Sequence, residues 1–131
     1  MIGHRQHVSS GSPFEPRYGF CRAVRVDDRV AVAGTAPIWP DGTCPDDAGE
    51  QAQRCLTIIT EALAEVGASP ADLVRTRMFI TDAADADAVG RAHGAFVGSN
   101  RPVSTMVVVA ALLDPRWKVE IEAEGVVGSQ T

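Results

Sequence analysis

Apolar residues recur along this chain in two different periods, and the changes of period mark its elements. Val24, Val26, Val30 and Val32 fall on alternate positions around Asp27-Asp28, which predicts a β-hairpin ending at Gly34. Residues 37–45, with Pro40, Asp41 and Gly42 inside them, read as a loop. Ala52, Cys55, Leu56, Ile59, Leu63 and Val66 then step by three and four, the spacing of one helical face. Asp46 or Asp47 can cap that helix, with Glu50 as a variant capping box, and Gly67 supplies a left-handed stop. From 73 to 81 the period becomes two: Val74, Thr76, Met78 and Ile80 on one face, Arg75, Arg77 and Phe79 on the other. Asp82 caps a second helix with Val89, Ala92, His93 and Phe96 inward, closing near Gly98. Gly90 and Gly94 each cost that helix up to ~1 kcal/mol relative to Ala, and their spacing of four predicts close packing on a neighbour.

Residues 103–112 are almost wholly apolar, as in a strand covered on both faces. Residues 113–116 suit a hairpin-like return, and 117–126 alternate Trp117, Val119, Ile121 and Ala123 with Lys118, Glu120, Glu122 and Glu124. The order β-β-α-β-α-β-β describes a single α+β domain, two helices on one face of a mixed sheet, preceded by a polar lead-in at 1–19. Two helices leave the other face uncovered, and that face carries Phe79 and part of the 103–112 strand beside Arg77, Glu120 and Glu122. Association through it would bury this patch and create clefts between subunits of a symmetric homo-oligomer.

Composition narrows the function classes. The 131 residues fit one core, and 45% hydrophobic with 22% charged residues exclude wholesale disorder. Twelve Lys+Arg against seventeen Asp+Glu leave −5, and only seven residues are aromatic, which argues against a nucleic-acid partner. No apolar run approaches the roughly 18 residues of a membrane span, and the first twenty residues lack the apolar core of a signal peptide. Three cysteines (Cys21, Cys44, Cys55) without CxxC spacing suit isolated thiols and a cytoplasmic location. His4 and His7 form an isolated HxxH, too few ligands for a metal.

Five segments together carry a resemblance: GFCRAVRVDDRVAVAGTAPI (19–38), AQRCL (52–56), LVRTRMFITD (73–82), RPVSTMVVVAALL (101–113) and VEIEA (119–123). From about residue 19 to 127 the chain resembles the Rid family, also called YjgF or L-PSP. The resemblance implies a chorismate-mutase-like fold assembled as a trimer with three clefts at subunit boundaries. Members of the deaminase branch hydrolyse 2-aminoacrylate-type enamines and imines to 2-keto acids, releasing ammonia, with no metal or organic cofactor. Their chemistry needs an arginine fork for the substrate carboxylate and a carboxylate or held water for proton transfer.

Carried over residue by residue, the arginine two positions after the strand-opening proline falls at Ser104. The family's tyrosine falls at Phe20, the serine and glutamine of its SGQ turn at Ala33 and Thr35, and a helix asparagine at Gly90. Only the strand glutamate survives, as Glu120. Ordinary 2-aminoacrylate hydrolysis is therefore not expected, since serine cannot neutralise a carboxylate.

The candidate site is then Glu120 to position water, Ser104 to contact the ligand, and Phe20 with Trp39 to shape the cleft. Arg101 could swing in as a substitute clamp, while Arg77 suits an ion pair with Glu120 or Glu122. Ser104 has no neighbouring His/Asp pair in sequence to make it a nucleophile, and His93 reads as a satisfied core histidine. The expected function is processing of an imine- or enamine-like metabolite. The alternatives are a non-catalytic trimeric metabolite binder and, more weakly, the L-PSP-type endoribonuclease role.

Overall fold

The computed structural model describes residues 4–129. In chain order these form β1 (Arg5–Val8), α1 (Phe14–Tyr18), β2 (Ala23–Val26), β3 (Arg29–Thr35), α2 (Ala48–Glu65), β4 (Leu73–Ile80), α3 (Ala86–Val97), β5 (Val103–Val108) and β6 (Val119–Val126). Single 3-10 turns lie at Pro70–Asp72, Ala83–Asp85 and Gly98–Asn100. The sheet is six-stranded, in the order β1-β2-β3-β6-β4-β5, antiparallel except for the parallel pair β4–β5.

The α2 helix forms as its sequence dictates. Asp47 caps it, its carboxylate accepting from the backbone N–H of Gly49 at 2.8 Å and of Glu50 at 3.4 Å. Its apolar face buries Ala52, Cys55, Leu56, Ile59 and Leu63 against the sheet, and Gly67 turns away at φ 75°. At its last turn Arg25 Nη1 donates to Val66 O at 2.6 Å, so β2 satisfies an orphan carbonyl of the helix end. Gln51 is fully buried. Its amide nitrogen donates to the carbonyls of Pro45 and Arg116, and its amide oxygen accepts from Lys118 N, which fastens both loops to α2.

Several expectations need correction. The polar lead-in holds a strand and a short helix, because Val8 is buried and Glu15, also buried, accepts from both the backbone and the hydroxyl of Ser10. The hairpin turns at Asp27 (φ 54°), but its register sets Val24 beside Ala31 and Val32 beside Ala23. Val30 and Val32 therefore enter the core, while Val24 and Val26 lie half-buried on the opposite face.

In β4 an irregularity between Leu73 and Arg75 turns Leu73 inward and leaves Val74 exposed, while Thr76, Met78 and Ile80 are buried as expected. The return after β5 is not a hairpin: β6 crosses β4 to sit between β3 and β4. β5 is shorter than its apolar run. As an edge strand it exposes Val103, Val107 and Val108 rather than being covered on both faces. Trp117 precedes β6, in a turn where its N–H donates to Asp114 O. In α3, Val89 and His93 are buried with Ala92 and Phe96 packed on the core. Gly90 and Gly94 do not seat that helix closely, for no atom lies within 4 Å of where their Cβ would be.

Candidate functional site

Strand alternation decides which candidates can meet. On β6, Val119, Ile121 and Ala123 point to the helices, so Glu120, Glu122 and Glu124 line the open face. Their neighbours across β4 are Phe79, Arg77 and Arg75, and beyond these on β5 lie Val107, Thr105 and Val103. Arg77 is committed there: Nη1 lies 2.8 Å from Glu122 and 3.2 Å from Glu124, which holds its pKa above the ordinary arginine value.

Glu120 is half-buried and lies over Gly34, its Oε2 only 2.5 Å from where a Cβ of residue 34 would sit. This close approach is made by a bulge between Val32 and Thr35, which opposes one extra β3 residue to β6. Thr35 shapes that bulge from within: it is fully buried and its hydroxyl donates to Ala33 O at 2.7 Å. Burial raises the Glu120 pKa, Arg22 pulls it back down, and Glu122 adds to the rise.

Arg22 is the residue that sequence reasoning missed. Its Nη2 donates to Gly34 O at 2.6 Å, so the guanidinium and the Glu120 carboxylate both converge on the same glycine. Burial lowers its pKa, opposed by the charges of Glu15 and then Glu120. Its Nε is buried without a hydrogen-bond partner among the described residues. No sequence spacing marks this arginine; the one signal was its place directly before the first hairpin strand.

Phe20, half exposed, and Ala33 share a groove of about 400 Å³ with Cys21, Val24 and Glu122 on the open face. Trp39 lies half-buried in the loop after β3, in a turn closed by Gly42 N on its carbonyl. Arg101 is exposed, at φ 50°, directly before β5. Gly90 sits half-buried on α3, on the helix layer.

Ser104 stands apart from Glu120. It aligns with Thr76, a core-facing residue, so its hydroxyl points to the helix side while Glu120 points to the open side. There the Ser104 and Thr76 hydroxyls are 2.8 Å apart, and Thr76 Oγ1 is 2.7 Å from His93 Nε2. Within one chain, Glu120 and Ser104 therefore lie on opposite faces of the sheet. Among the described residues no group of three or more His, Cys, Asp or Glu could hold a metal, and no helix is long and apolar enough to cross a membrane.

Comparison with known proteins agrees with this architecture. The family described as Endoribonuclease L-PSP matches residues 11–127. An uncharacterised protein of Streptomyces coelicolor, SCO2049, is 41% identical over 125 residues, covering 95% of this chain and 93% of that one. A RutC family protein of Haemophilus influenzae is 33% identical over 82 residues, 63% of this chain and 71% of its own. The crystal structure of Rv2704 from Mycobacterium tuberculosis, described as a member of the YjgF/YER057c/UK114 family, superposes with a TM-score of 0.87 at 44% identity, covering 95% of this chain and all of that one. At 22% identity, NMB1025 from Neisseria meningitidis shares the fold with a TM-score of 0.82. By profile, by identity over nearly its whole length and by fold, the chain belongs to the L-PSP family, also called YjgF or Rid.

Proposed function

We propose that this protein processes an imine- or enamine-like small metabolite in clefts at the boundaries between the subunits of a trimer. The observation that carries the reading is Glu120: a half-buried carboxylate, held against the backbone at Gly34, with its pKa raised by burial. Such a group can accept a proton from an attacking water and return it to a departing amine, work worth roughly 10²–10⁴ in rate. The division of Glu120 and Ser104 between opposite faces supports a site completed by a neighbouring copy, because one chain cannot bring them together. The exposed valines of β5 supply apolar area for that contact.

The ligand differs from 2-aminoacrylate in lacking a carboxylate at the position of Ser104. Arg77 is engaged by two glutamates and so supplies no guanidinium there, and Arg101 is an exposed residue directly before β5. The test is ammonia release from imines generated in situ, by an amine oxidase from simple amines and by an amino-acid dehydratase for 2-aminoacrylate. Acceleration with carboxylate-free imines, lost in Glu120→Gln, is expected. Acceleration of 2-aminoacrylate alone, or of neither, overturns the reading. The loss of hydroxyls at Phe20 and Ala33 favours a second reading, a non-catalytic binder. A metabolite retained through purification and seen by native mass spectrometry, without turnover, would establish it.

A further inference from the structure

Ser104, Thr76 and His93 come from β5, β4 and α3, and nothing in their sequence spacing joins them. The fold does: Ser104 Oγ lies 2.8 Å from Thr76 Oγ1, which lies 2.7 Å from His93 Nε2. Thr76 is almost fully buried and His93 is 9% exposed, whereas Ser104 is exposed, so the chain runs from the core to the surface. Thr76 has one hydroxyl hydrogen and can donate to only one neighbour. When it donates to His93, Ser104 donates to Thr76; when it donates to Ser104, His93 donates its Nε2–H to Thr76. The polarity of the outer hydroxyl is thereby tied to the state of a buried imidazole.

We propose that these three residues form a proton relay that makes the Ser104 hydroxyl nucleophilic toward an electrophilic carbonyl or imine carbon. Ser104 Oγ bonds to that carbon, and the π electron pair moves to its oxygen or nitrogen. The hydroxyl proton passes to Thr76 as the Thr76 proton passes to His93 Nε2. A proton returned from the relay neutralises the oxygen or nitrogen that took the π pair, so the step is a net addition that reverses when Oγ takes its proton back as the Oγ–C bond breaks. His93 and Thr76 are positioning residues here, and Ser104 is the group that touches the ligand. Burial alone lowers the His93 pKa, with no charged group from α2, β4 or β5 contributing, so the ring is a neutral base above the ordinary histidine range. The electrophile class rests on the function proposed above; the relay itself does not involve Glu120.

The probe is a small alkyl fluorophosphonate, with which Oγ–P formation expels fluoride and the relay takes the proton. Mass spectrometry of the intact protein and its peptides is expected to place one adduct on Ser104, absent in Ser104→Ala. The labelling rate should fall as pH drops through the His93 titration followed by 15N NMR. Thr76→Val should slow it at least about tenfold, and Thr76→Ser should restore it. Absence of an adduct at Ser104, or a rate unchanged in Thr76→Val, overturns the relay. Should Thr76→Val fail to fold, the wild-type profile decides: coincidence with the His93 titration supports the relay and divergence overturns it. Labelling without imine turnover overturns only the proposed function, whereas imine turnover without labelling overturns only the relay.

Discussion

Gly34→Ala tests how Glu120 is held. A Cβ at residue 34 would lie 2.5 Å from Glu120 Oε2, 3.4 Å from its Cδ and 3.7 Å from its Cγ, so only the end of that side chain is struck. Swinging the carboxylate aside costs about 0.5–1.5 kcal/mol in rotamer strain. Gly34 does not use left-handed backbone, so alanine also stabilises by about 0.4–1 kcal/mol through the unfolded chain. The two terms nearly cancel, and the unfolding midpoint is expected to stay within about 1 kcal/mol of wild type. The carboxylate, however, leaves its half-buried position. Carboxyl 13C NMR should show the Glu120 pKa falling back toward the ordinary value of 4.5 as desolvation is relieved.

Gly125→Ala is the contrasting substitution. There the added carbon would meet Asp72 O at 2.8 Å and Val30 Cγ1 at 3.2 Å, backbone and core that cannot swing away. Overpacking of that kind costs typically ~1–3 kcal/mol. An unchanged Glu120 titration in Gly34→Ala, or a loss of stability as large as that of Gly125→Ala, would refute the reasoning.

Three further outcomes are expected. Because burial lifts the folded-state pKa of Glu120 above its unfolded value of 4.5, its contribution to stability is fully present below that value and lost as pH rises through the folded pKa. Urea midpoints across this window should therefore fall in wild type relative to Glu120→Gln, leaving the glutamine variant the more stable at neutral pH. Gln51→Ala removes the amide partners of the part-buried carbonyls of Pro45 and Arg116, to which Cys44 Sγ also donates, and of Lys118 N, at about 1–3 kcal/mol in all, measured by chemical denaturation. Light scattering should report a trimer for wild type and a smaller species for Val107→Asp, which puts a charge into the exposed apolar part of β5; a monomeric wild type would remove the shared cleft.

Local pattern was enough for α2, whose cap at Asp47, apolar stripe and stop at Gly67 all lie within its own sequence, and for the inward residues of β6. The five quoted segments likewise carried the family, because they mark the order of the elements. Sequence also singled out Glu120, though not what holds it. Tertiary structure decided what depends on residues far apart in the chain. The crossing of β6 between β3 and β4 set the sheet order, and the irregularities at Leu73–Arg75 and Val32–Thr35 chose which side chains face inward. A strand's period of two fixes alternation but not absolute facing, so one extra residue sends Val74 outward and brings Gly34 beneath Glu120. For the same reason no spacing could reveal Arg22 converging on Gly34, or Ser104 joined through Thr76 to His93. Those contacts exist only once a hairpin, a parallel strand pair and a helix from separate stretches are packed together.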